Sequence, residues 1–108
     1  MGHTFLTLST TTILEAVANG HAFGFDIVDL TGMPGGTVYP ALRRLEEAGY
    51  LISEWEAARV AHAEARPRRK YYEVTPAGRE ALSEAARRYR RPQPAPQSRR
   101  AAPKPTRA

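Results

Sequence analysis

The segment that most limits what this chain can become is Thr31-Gly32-Met33-Pro34-Gly35-Gly36. A proline and three glycines so close together break any regular element that would run through them. On either side the apolar residues have helical spacing. Phe23, Ile27 and Leu30 stand at i, i+4, i+7 before the break, and Val38, Leu42 and Leu45 repeat that spacing after it. Two short helices joined by a glycine-bearing turn predict a helix-turn-helix. Asn19-Gly20 marks the start of this unit and Gly49 its end. Pro40 is expected in the first turn of the second of these helices, where its missing N–H costs nothing.

Elements on both flanks complete the pattern. Leu6 to Val17 is apolar around Ser9-Thr10-Thr11-Thr12, which predicts a first helix starting near Ser9 or at a Thr12/Glu15 capping box. Tyr50 to Glu56 alternates, with Leu51, Ser53 and Trp55 on one side, and reads as a strand. Ala57 to Pro67 is an alanine-rich polar loop, and Arg69 to Val74 a second strand. Thr75-Pro76 then caps a last helix running to about Arg91, with Leu82, Ala85 and Tyr89 as its apolar positions. The fold class predicted is mainly α with a small β-hairpin, a winged helix-turn-helix over residues 1–91.

Residues 92–108 carry five of the nine prolines and no aromatic or large aliphatic side chain. Such a segment cannot bury enough apolar surface to offset its ordering entropy and is expected to be a disordered basic tail. It also explains the net charge of +5. From Met1 to Ala86 there are eight Lys/Arg against eleven acids, 8 − 11 = −3, while Arg87 to Ala108 holds eight Lys/Arg and no acid, +8. A basic pI therefore does not show that the folded part binds nucleic acid. That case rests on where the body keeps its few cations.

With no cysteine in 108 residues, disulfides, thiolate metal sites and a cysteine nucleophile are excluded. His3, His21 and His62 have no metal-ligand spacing, and Ser53 lacks a nucleophile-elbow context. The Asp26/Asp29 pair reads as surface decoration. Gly35-Gly36 lacks the Lys-Ser/Thr ending of a nucleotide-phosphate loop. Neither an enzyme nor a cofactor is expected. No apolar run approaches the roughly 18 residues of a membrane span, so the expected location is cytoplasmic and nucleoid-associated. Phe23 and Phe25 are expected in the core.

Two basic clusters remain. With Val38, Leu42 and Leu45 turned inward, Thr37, Tyr39, Arg43 and Arg44 face outward near the N-terminal half of their helix, where a recognition helix meets base edges. Arg66, Arg68, Arg69 and Lys70 crowd the hairpin, where they would contact phosphates. Gly35-Gly36 either supplies a tight turn that needs positive φ or offers bare amides, Gly36 included, to a phosphate. The competing reading is an interaction module whose acidic body binds a protein and whose tail alone has weak, non-specific nucleic-acid affinity.

These residues also resemble a known family. Gly24-Phe25-Asp26-Ile27, the run Thr31 to Glu46 with its Thr37-Val38-Tyr39-Pro40-Ala41-Leu42, Gly49-Tyr50-Leu51, Trp55-Glu56 and Arg66-Pro67-Arg68-Arg69-Lys70-Tyr71-Tyr72 are similar to PadR-family transcriptional regulators of bacteria. The resemblance covers about residues 5–85. It implies a homodimeric winged-helix repressor on double-stranded DNA with a pseudo-palindromic operator, often released by a small-molecule effector. It places 37–44 in the major groove and 66–70 on the backbone. Ala65 stands where the family often has glycine, so a longer or less sharply turned wing is expected. The family dimerises through C-terminal helices. Here only about 76–91 serves, with Leu82, Ala85 and Tyr89 at a small contact supplemented by the first helix, and no dedicated effector domain is expected.

Overall fold

A computed structural model describes residues 6–89 of the chain. The expected tail, together with Arg90 and Arg91, lies outside the described residues. The order is α1 (Leu8–Ala18), α2 (Gly24–Thr31), α3 (Gly35–Glu47), β1 (Leu51–Trp55), α4 (Ala58–Ala63), β2 (Lys70–Val74) and α5 (Pro76–Tyr89). The two strands are antiparallel, with Leu51 opposite Val74 and Trp55 opposite Lys70. The loop before α2 joins their edge: the Tyr72 N–H donates to the Ala22 carbonyl at 2.7 Å, and Phe23 bridges Tyr71. Ile13, Leu14, Ile27, Val38, Leu42, Leu45 and Leu51 are fully buried where the helices and the hairpin meet.

The first helix starts at Leu8, next to the Ser9 start and a full turn before the Thr12/Glu15 capping box. Thr7 is its N-cap, accepting from the Thr10 N–H through its hydroxyl at 3.1 Å. The hydroxyl run that interrupts the apolar pattern lies inside the helix, because Thr11 and Thr12 donate back to the carbonyls of Thr7 and Leu8. In α2, Ile27 is buried as expected, but Leu30 and Phe25 are exposed, Phe25 at 69%. Phe23 is half-buried against Tyr71, edge to face at 5.5 Å between ring centroids. Phe25 is thus no core residue: a helix of eight residues, packed along the side that carries Ile27, leaves the Phe25 side to solvent.

The break between α2 and α3 is made by Gly32, whose φ of 76° ends α2 in the left-handed region. Gly35 and Gly36 do not have positive φ; they are the first two residues of α3, capped by Pro34. Pro40 is consequently the sixth helical residue rather than part of the first turn. It leaves the Gly36 carbonyl without its i+4 donor.

The connection between the strands is not a plain loop. Ala58–Ala63 forms the short helix α4, with Ala61 buried, and Ala65 then turns the chain back at φ 55°. An L-residue in that region is strained by roughly 1–2 kcal/mol, so the wing is longer than a tight hairpin and still turns sharply. At the far end Thr75 caps α5, accepting from the Gly78 N–H at 3.0 Å, and its hydroxyl ties to the Gly49 carbonyl at 2.7 Å.

Candidate nucleic-acid interface

Helix α3 is two-sided because its apolar residues recur every three or four positions. Val38, Ala41, Leu42 and Leu45 are buried. Gly36, Thr37, Tyr39, Arg43 and Arg44 are all exposed on the opposite arc. Among the described residues none pairs with the Arg43 or Arg44 guanidinium, and none hydrogen-bonds the Tyr39 hydroxyl. The five residues expected at a duplex therefore share one open face. Gly36 is the most telling. Its φ is not positive, and a Cβ built on it meets nothing within 4 Å, so neither the backbone conformation nor the packing calls for glycine there.

The wing is a different matter. Arg66 is not a free cation: its guanidinium grips Glu56 with both terminal nitrogens, at 2.8 and 2.9 Å, and its Nε reaches Glu64 at 3.3 Å. This two-pronged pairing holds the Glu56 carboxyl at a pKa of about 2, well under its ordinary 4.5, against the desolvation that would raise it, and the Arg69 backbone N–H adds to the effect. Glu56 closes the base of the wing, fastening the end of β1 to the chain entering β2. Arg66, expected on a phosphate, is thus already paired within its own chain, with Glu56, Glu64 and the Pro67 carbonyl.

The other three wing cations are held less tightly. Arg68 is exposed; its Nε donates to the Glu56 carbonyl at 2.9 Å and its guanidinium lies 5.6 Å from the Trp55 ring centre. Arg69 stacks over Phe23 at 4.1 Å. Lys70 sits 3.7 Å from a Glu46 oxygen, and Ser53 donates to the other Glu46 oxygen at 2.6 Å. Glu46 thus bolts α3 to the hairpin. Burial, chiefly, pushes the neighbouring Tyr72 hydroxyl's pKa up, with the Glu46 carboxylate and Tyr39 adding to it. Glu46, Glu56 and Trp55 carry much of the wing's geometry. Pairings such as Glu56 with Arg66 across the α4 insertion leave no local sequence signal.

The three residues expected at the dimer contact all pack against their own core. Ala85 is wholly covered by its own chain, so it has no surface for a partner. Tyr89 donates its hydroxyl to the Leu6 carbonyl at 2.6 Å, and Leu82 is half-buried against the same core. The apolar side of α5 closes on α1.

An exposed helix after a glycine turn, backed by a basic hairpin, defines the class of a winged helix-turn-helix protein. The chain belongs to the PadR family: the profile described as "Transcriptional regulator PadR-like family" matches residues 13–84. Over 52 residues it is 50% identical to the transcriptional regulator Rv3488 of Mycobacterium tuberculosis, covering 48% of this chain and 43% of that one, so the match spans less than half of that relative's length. Its fold is similar to smu.1704 of Streptococcus mutans UA159, at 29% identity over 77% of this chain and 76% of that one, with a TM-score of 0.64. It is also similar to a PadR-like transcription factor from Bacteroides fragilis, at 27% identity over 77% and 81% of the two chains, again with a TM-score of 0.64. Among the described residues no helix is long and apolar enough to cross a membrane, and no three His, Asp or Glu side chains group as metal ligands.

Proposed function

We propose that this PadR-family regulator is a sequence-specific DNA-binding repressor that engages a two-fold-related operator as a homodimer. The observation that carries the reading is the open arc of α3, where Gly36, Thr37, Tyr39, Arg43 and Arg44 are exposed together. Thr37 and Tyr39 are suited to phosphate or base contact, and Arg43 to a guanine or a phosphate. The Gly36 amide, in the first turn of α3, is suited to a backbone phosphate. Arg68, with support from Arg69 and Lys70, supplies the wing contacts. The eight cations from Arg87 onward add sequence-independent attraction for a polyanion. A small-molecule effector that releases the operator belongs to the same proposal.

Selection of genomic fragments by the full chain, followed by competition with scrambled duplex, tests the reading. Half-sites about one helical turn apart are expected. Arg43→Ala should lose about 1–3 kcal/mol of discrimination. Equal discrimination by wild type and variant removes Arg43 as a reader. Failure to select any duplex favours the interaction module with a merely sticky tail.

A further inference from the structure

Tyr39 stands in a slot between two glycines. A helical side chain leans toward the N-terminus of its own helix, which carries the Tyr39 ring back over Gly35, one turn earlier. A Cβ on Gly35 would lie 3.3 Å from Cε2 and 3.4 Å from Cδ2 of that ring. The opposite edge of the ring rests on Gly24, the first residue of α2. A Cβ there would overlap Cε1, Cζ and the hydroxyl oxygen of Tyr39 well inside van der Waals contact. Neither glycine has positive φ, and glycine weakens a helix relative to alanine. Space for the tyrosine is the reason the structure offers for Gly24, which is itself buried although Tyr39 as a residue is 49% exposed.

We propose that Gly24 is a positioning residue for DNA recognition: through its missing side chain it seats the Tyr39 ring and fixes where the hydroxyl stands beside the start of α2. The inference rests on the DNA-binding reading above. A seated ring enters a complex with less rotamer freedom to lose, and its orientation is set by α2 as well as by α3. Specificity at the base or phosphate that Tyr39 meets therefore depends on a residue that touches no DNA. Because Tyr39 is half-exposed, a methyl group on Gly24 displaces the ring outward rather than disrupting the core.

The test is Gly24→Ala in the full chain, with and without Tyr39→Ala, measured on the duplex that wild type selects. Gly24→Ala should weaken binding roughly tenfold while its circular dichroism stays that of wild type. In the Tyr39→Ala background the same change should cost no further affinity. Fluorotyrosine labelling reports on all five tyrosines of the free protein; the resonance lost in Tyr39→Phe should move in Gly24→Ala. Unchanged affinity overturns the proposal whether or not the resonance moves, as does an equal loss in both backgrounds. If Gly24→Ala alone unfolds, recovery of the fold by added Tyr39→Ala upholds the seat, and no recovery refutes it. A wild-type chain that selects no duplex refutes the DNA reading and this role with it, whereas the fluorine spectrum still reports whether the seat exists.

Discussion

Replacing Gly36 with alanine should move stability and DNA affinity in opposite directions. The position is helical, exposed and open, with nothing inside 4 Å of an added Cβ. Alanine there narrows the unfolded ensemble and favours the helix, an effect of about 0.5–1 kcal/mol in a helix interior. Gly36 lies in the first turn, so the lower end applies, about 0.5 kcal/mol. For a domain of this size that raises Tm by about 2–4 °C. The methyl group would project into the space that a phosphate must enter to reach the Gly36 N–H. Losing a charged hydrogen bond of about 1.5–3 kcal/mol weakens binding roughly ten- to hundredfold. Calorimetric melting and a fluorescence titration on the selected duplex measure the two effects. A higher Tm with unchanged affinity would refute the phosphate contact at Gly36. A lower Tm would refute the claim that the fold has no use for glycine there.

The wing arginines should separate by role. Arg68→Ala is expected to flatten the slope of log K against log salt by about 0.9, one phosphate's worth, whereas Arg66→Ala should leave the slope nearly unchanged and lower Tm, because Arg66 is paired with Glu56. Arg66 holds the folded Glu56 carboxyl at about 2 against its ordinary 4.5, so the unfolded chain binds the extra proton between those values. Its stabilisation is complete above about pH 4.5 and is lost as pH falls toward 2; melts across that range should show a shallower pH dependence in Glu56→Gln. Leu82→Glu should give monomers in sedimentation if α5 forms the dimer contact, and a stable, folded dimer would move that contact to α1, where Leu8 is 51% exposed. Truncation after Arg91 removes Arg99, Arg100, Lys104 and Arg107; random-duplex affinity at low salt should fall roughly tenfold, and the difference should close near ~0.5 M salt. Equal affinity at low salt would leave the tail a spacer.

The periodicity of Val38, Leu42 and Leu45, the break before them and the alternation after Gly49 are local properties of the chain. They determined the helix-turn-helix, the hairpin and the open arc of α3, because burying one face of a helix dictates which residues remain outside. Charge counting likewise separated an acidic body from a basic end. What local pattern could not decide was anything settled by a partner distant in sequence. Cation spacing is the same whether Arg66 faces a phosphate or grips Glu56, and only the α4 insertion and the Ala65 turn bring that carboxylate within 2.9 Å. Ala85 has the spacing of a surface stripe, and only the packing of α5 on α1 buries it. Gly24 and Gly36 are alike as letters. The Tyr39 ring lies against the first and open space beside the second, and both facts depend on how α2 and α3 pack in the folded chain.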